Sequence, residues 1–150
     1  MRLKKYTYLA ALFFLFASFS FAQKNEYNII PAPLNLKPSK GIFIFNEATS
    51  LQLGKGVSPE VENAFFILKD RLNTAAGLMI TANNTARSKN VIICRQNNSL
   101  EKKESYILNI TPAKIEIEAR EPAGFFYAAQ TLRQLLPVAI ESKDRTSDIT

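Results

Sequence analysis

The stretch from Tyr106 to Pro137 constrains the fold most. Two short runs alternate in polarity: Tyr106, Leu108 and Ile110 share one face, and Ile115, Ile117 and Ala119 share another. Only Thr111-Pro-Ala-Lys114 joins them, so they are predicted to pair as an antiparallel hairpin with Glu116 and Glu118 turned away from the core. Pro122-Ala-Gly then opens a helix. Its apolar stripe is Phe125, Ala128, Leu132, Leu135 and Leu136, and Pro137 ends it. A period of 2 switching to 3.6 within so short a distance calls for a sheet with a helix laid across it.

Upstream, Asn28-Ile-Ile-Pro31-Ala-Pro33 reads as an extended entry, because each proline keeps its predecessor out of the helical region. Gly41-Ile-Phe-Ile-Phe45 and Ser50-Leu-Gln-Leu53 are predicted strands. Ser58-Pro59 supplies a cap and a first helical residue. Val61, Phe65, Leu68 and Leu72 then form one buried stripe, which Gly77 stops. Leu78-Met-Ile-Thr81 and Val91-Ile-Ile-Cys94 are predicted strands on either side of the polar loop 82–90. The order β-β-α-β-β-β-β-α predicts an α+β fold, a largely antiparallel sheet packed by two helices. The polar stretch from Glu141 to Thr150 lacks periodicity and is expected to be a linker.

The first 22 residues read as a signal peptide. Arg2, Lys4 and Lys5 precede the apolar run Leu9–Ala17, and Ser20-Phe21-Ala22 offers small residues for cleavage before Gln23. The uncharged run is too short for a stable membrane span. The protein is therefore expected to be exported, to the periplasm or the medium. Three of the 19 basic residues lie in this leader, which leaves 16 against 13 acidic ones. So small an excess, unclustered, predicts no nucleic-acid partner.

The sequence has no histidine and one cysteine. That excludes Ser-His-Asp and Cys-His nucleophile systems, histidine metal sites, Cys-x-x-Cys motifs and an internal disulfide. Each remaining candidate has an ordinary explanation. Glu116 and Glu118 are a carboxylate pair on what reads as the solvated face of a hairpin. Gly54-Lys-Gly56 has no third glycine to make a dinucleotide fingerprint, and a plain helix cap follows it. Asn83-Asn-Thr85 and Asn97-Asn-Ser99 match glycosylation sequons, a common pattern. Lys102 and Lys103 read as an exposed loop pair. Phe125-Phe-Tyr127 is either a sugar-stacking platform or core, and its place on an amphipathic helix favours core. Cys94, inside an apolar run, reads as a small buried hydrophobe. The residues supply no catalytic, substrate-binding or metal-ligating set, and no cofactor is expected.

Three segments carry a resemblance that goes further. Ile29-Ile-Pro31-Ala-Pro33 with Gly41-Ile-Phe43 resembles the opening of the N-terminal domain of family-20 glycoside hydrolases, the β-N-acetylhexosaminidases. Glu104-Ser-Tyr106-Ile-Leu108-Asn-Ile110 is similar to that domain's penultimate strand. Ala119-Arg-Glu-Pro-Ala-Gly124-Phe-Phe-Tyr127-Ala-Ala-Gln130-Thr131-Leu132-Arg-Gln134-Leu135-Leu136-Pro137 resembles the helix that precedes the catalytic barrel.

The resemblance implies a small non-catalytic domain, residues 23–140, in a secreted enzyme of carbohydrate metabolism. Its partner is a (β/α)₈ barrel of the same polypeptide, which hydrolyses terminal N-acetylhexosamine residues from glycans. There the substrate's 2-acetamido oxygen attacks the anomeric carbon while an enzyme glutamic acid protonates the leaving group. The barrel's His-x-Gly-Gly-Asp-Glu type motif has no counterpart here, so no catalytic residue carries over. The chain is expected to be an N-terminal fragment, inactive alone, that docks on the barrel. The alternatives are a free-standing secreted glycan-binding or adhesion module, and the N-terminal domain of another glycosidase such as an O-linked N-acetylglucosaminidase or an α-glucuronidase.

Overall fold

The computed structural model describes residues 27–83 and 88–146. The leader and the last four residues lie outside the described residues.

Five strands form one sheet: β1 (Ser50–Leu53), β2 (Thr81–Ala82), β3 (Val91–Gln96), β4 (Tyr106–Ile110) and β5 (Lys114–Ala119). The helices are α1 (Val61–Ala64), α2 (Phe66–Ala76) and α3 (Pro122–Leu135), and a short 3-10 turn spans Val138–Glu141. This is the expected α+β class. The hairpin is also as expected: β4 and β5 pair antiparallel, with Tyr106 opposite Ala119, Leu108 opposite Ile117 and Ile110 opposite Ile115. Its turn needs no glycine, because the Thr111 hydroxyl donates to the Lys114 carbonyl (2.9 Å) and accepts from the Lys114 amide (3.1 Å).

The expected strand directions need correction. The order is β2-β1-β3-β5-β4, and the β1–β2, β1–β3 and β3–β5 pairs are all parallel. Alternation within a strand fixes which face a residue takes, but neither the strand's neighbour nor its direction. Those follow from the connections: crossovers return the chain to the same end of the sheet before β2 and β3, and β4 itself runs back to that end before β5. One clue to β3 lay in the sequence. Val91 to Cys94 is apolar without alternation and is buried on both faces, as suits a central parallel strand.

Two predicted strands change as well. Residues 41–45 form no strand, although their alternation survives: Phe43 and Phe45 pack edge-to-face and lie against the core, while Ile42 and Ile44 face outward. The strand expected at Leu78–Thr81 shrinks to Thr81–Ala82, with Ile80 buried and Met79 exposed.

The expected first helix breaks at Phe65 into α1 and α2. Tight i→i−3 bonds from Val61, Glu62 and Asn63 open it, and the Ser58 hydroxyl accepts from the Glu60 amide (3.3 Å). Its stripe is intact: Val61, Phe65, Leu68 and Leu72 are all buried. Gly77, at φ 70°, ends α2 in the left-handed region, and the Leu78 amide reaches back to the Leu72 carbonyl at 3.1 Å.

The core lies between one sheet face and the helices. Leu51, Ile92, Cys94, Ile115, Ile117 and Ala119 meet Phe65, Leu68, Leu72, Phe125, Ala128 and Leu132 there. Gly124 lets α3 approach the hairpin closely. A Cβ at that position would lie 2.6 Å from the Ser105 carbonyl oxygen and 2.8 Å from the Ala119 Cβ. Part of the segment expected to be a linker is fastened to the helices. The Glu141 carboxylate accepts from Arg133 Nε (2.6 Å), and the Thr146 amide donates to the Ala75 carbonyl (2.9 Å).

Candidate functional site

Glu116 and Glu118 stand on the sheet face away from the helices, as the alternation predicted. Glu116 meets Lys114 Nζ at 2.8 Å and an Arg95 guanidinium nitrogen at 3.5 Å. The Lys114 hydrogen bond is the main influence holding its carboxyl below the usual carboxylate range, against a smaller opposing effect of burial. A general acid needs a shift in the other direction. Glu118 accepts from Asn97 Nδ2 at 2.6 Å. The two carboxylates serve this outer face as ion-pair and hydrogen-bond acceptors.

The glycines of Gly54-Lys-Gly56 have backbone work. The Gly54 amide donates to the Cys94 carbonyl (2.8 Å), and a Cβ there would sit 2.7 Å from that oxygen. Gly56 turns the chain at φ 84°. Beside it lies a shallow cleft of about 70 Å³, lined by Ser58, Gln96, Arg120, Glu121 and Phe125 among others. Ligand pockets typically run from about 300 Å³ upward, so a sugar ring does not fit inside it.

In the sequon at Asn97, the side-chain oxygen accepts from the Ser99 amide (3.0 Å) and hydroxyl (2.5 Å), closing a turn. The sequon at Asn83 lies in part outside the described residues. Lys103 reaches Glu121 at 3.6 Å, and Lys102 is exposed. Cys94 is fully enclosed, and burial pushes its thiol up to about 12. Among the described residues, no group of three or more His, Cys, Asp or Glu side chains is placed to hold a metal ion, and no helix is long and apolar enough to cross a membrane.

The aromatic run of α3 divides between two environments. Phe125 points into the core at 2% exposure, whereas Phe126 and Tyr127 are 40% and 43% exposed and pack edge-to-face with centroids 5.7 Å apart. Sequence reasoning missed the arm beside them. Gln134, seven residues on from Tyr127, accepts from the Ile30 amide (2.8 Å) and donates to the Ile30 carbonyl (3.1 Å). A lone glutamine carries no local signal for a partner 104 positions away. A second link missed by the sequence joins Tyr106 and Thr131, whose hydroxyls meet at 2.6 Å between hairpin and helix.

These features define a small α+β domain with a self-satisfied sheet face on one side and an aromatic helix face on the other. Residues 26–148 match the family model described as glycosyl hydrolase family 20, domain 2, and the chain belongs to that family. It is 30% identical over 119 residues to a β-hexosaminidase of Porphyromonas gingivalis strain W83, a match that covers 78% of this chain and 15% of that protein. It superposes on the N-acetyl-β-hexosaminidase of Streptomyces plicatus, solved with Thio-NAglucal, with a TM-score of 0.66 and 32% identity. On the family-20 β-N-acetylhexosaminidase of Streptomyces coelicolor A3(2) the score is 0.70 at 29% identity. Both superpositions cover 79% of this chain and 23% of the other. The chain thus spans less than a quarter of the relatives it matches.

Proposed function

We propose that this chain is the non-catalytic domain of an exported β-N-acetylhexosaminidase, and that its hydrolytic machinery lies in a (β/α)₈ barrel elsewhere in the same polypeptide. The enzyme's role is removal of terminal N-acetylhexosamine residues from glycans, with the substrate's acetamido group as internal nucleophile. The observation that carries this reading is the match to domain 2 of the family over 26–148, joined to a span of 23% of two hexosaminidase structures. The chemistry of the described residues supports it. The conspicuous carboxylate pair is occupied by Lys114, Arg95 and Asn97, and the cleft beside Gly56 is too small for a sugar. The domain's own contribution is mechanical, a folded support for the catalytic body.

The test is to read the coding frame past Thr150 and assay the product on an aryl N-acetyl-β-glucosaminide. The expected frame continues for a barrel's length, about 250 residues or more, and includes a His-x-Gly-Gly-Asp-Glu type stretch. The complete product is expected to cleave the substrate and residues 23–150 are not. A frame ending at 150 overturns the proposal and leaves a free-standing secreted module, to be tested by glycan binding.

A further inference from the structure

The two ends of the described chain are fastened to the same turn of α3. On the entry side Ile29 is buried, and the Gln134 carboxamide holds both backbone groups of Ile30, accepting from its amide (2.8 Å) and donating to its carbonyl (3.1 Å). On the exit side the chain leaves α3 through Pro137 and the 3-10 turn Val138–Glu141, from which Ile140 joins the core. Glu141 accepts from Nε of Arg133 (2.6 Å) and lies 3.6 Å from Nε of Arg71 on α2. Gln130 steadies Arg133 by accepting from a second guanidinium nitrogen at 3.0 Å. The Thr146 amide then closes on the Ala75 carbonyl, near the end of α2.

The turn that carries both fastenings is the part of a helix that holds itself least firmly. The last carbonyls of a helix have no partner within it, and terminal turns open at low free energy. At this cap the Leu136 amide reaches the Arg133 carbonyl at a long 3.3 Å, and Pro137 has no amide to add. Arg133 and Gln134 are neighbours in sequence, so both side chains are in place only while that turn is wound. Each seated segment in turn keeps it wound. Surface ion pairs contribute little one by one, so the grip of the exit segment rests chiefly on Ile140, and Glu141 sets where that segment lies.

We propose that the final turn of α3, through Arg133 and Gln134, is a common fastening for the entry arm at Ile30 and the exit segment 138–146, so that the two ends of the domain open and close as one cooperative unit. Release of either segment frays the turn and withdraws the anchor of the other. A cut or a pull at one end of the domain is thereby felt at the other, although the sheet between them is undisturbed. This coupling is independent of the hydrolytic reading and stands whether or not the complete polypeptide cleaves a hexosaminide.

The test is amide hydrogen exchange of the complete polypeptide, read by mass spectrometry on peptides covering 28–36 and 138–146, with β3 as the gauge of the global fold. Gln134→Ala removes the grip on the arm, and Ile140→Ala removes the plug of the exit segment. Each variant is expected to speed exchange several-fold in both segments while β3 stays protected; Ile107→Ala, on the outer sheet face, is expected to speed neither. Exchange that rises only in the segment whose own contact was removed overturns the proposal, because the two ends then open independently. So does a wild type in which either segment exchanges at the rate of an unstructured peptide. Should β3 lose protection in an alanine variant, the domain as a whole has opened, and the milder Gln134→Glu and Glu141→Gln decide by the same criterion. Gln134→Glu keeps the acceptor for the Ile30 amide and loses the donor to its carbonyl. Glu141→Gln keeps the shape of the exit segment and removes its charge.

Discussion

The outer face of the sheet and the outer face of α3 differ in how they meet their polar needs. On the sheet, Arg95, Lys114 and Asn97 engage Glu116 and Glu118, so the charges are satisfied among themselves at the surface. On α3, the one cation is removed into a contact with Glu141, and aromatic rings are left facing outward. Both faces belong to elements whose opposite side builds the same core. An element's inner face is dictated by the domain itself, while its outer face is free to differ: paired charges on the sheet, uncharged rings and amides on α3.

The sharpest way to break this comparison lies within α3. Phe125→Ala empties a fully buried ring site and is expected to destabilise the domain by about 3–5 kcal/mol. Phe126→Ala, one residue on, is expected to change the stability of residues 23–150 by no more than about 0.5 kcal/mol. Urea unfolding of both variants checks the pair. Equal losses would mean that Phe126 supports this domain's own fold. Next in size is Gly124→Ala, whose added methyl meets the Ser105 carbonyl and Ala119. The expected cost is about 1–3 kcal/mol, seen as a lower urea midpoint, because backbone rather than a flexible side chain must give way.

The sheet face should respond weakly. Glu116→Gln is expected to cost within about 0.5 kcal/mol at neutral pH, since surface ion pairs contribute little. Its signature is the pH profile. Glu116 has a lowered pKa in the folded state, so its contribution is present above the ordinary carboxylate range and is lost as pH falls through the folded value. The wild type should therefore lose slightly more stability than the glutamine variant on acidification, measured as melting temperature against pH. The smallest effect concerns Cys94. With its thiol pushed up to about 12 and fully enclosed, the native chain should not react with a disulfide reagent at pH 8, and should react completely once unfolded.

Much of the architecture was legible because it rests on local periodicity. The antiparallel hairpin and its faces, the inward stripes of the helices, and the Gly77 cap each follow from residues a few positions apart. The sheet's direction was not legible, since parallel pairing of β1, β3 and β5 is decided by crossovers between segments tens of residues apart. Phe43 and Phe45 make the same point from the other side. Their alternation predicted which way the rings face, but a strand also needs a partner edge, which no local pattern supplies. Among the candidate sites, the bland readings of Glu116, Glu118 and Cys94 came from their local settings, and the family came from a resemblance concentrated in the stretch 119–137.

By itself the sequence determined the class of fold and the inner faces of its elements, because these depend on residue type at short spacing, and three of its segments carried the resemblance to the family. The tertiary structure alone decided that Phe125 and Phe126 part company, that Gln134 holds the arm at Ile30, and that Glu141 draws off the only charge of α3. Each of these joins a side chain to a group on another turn or element, and only the folded chain sets those distances.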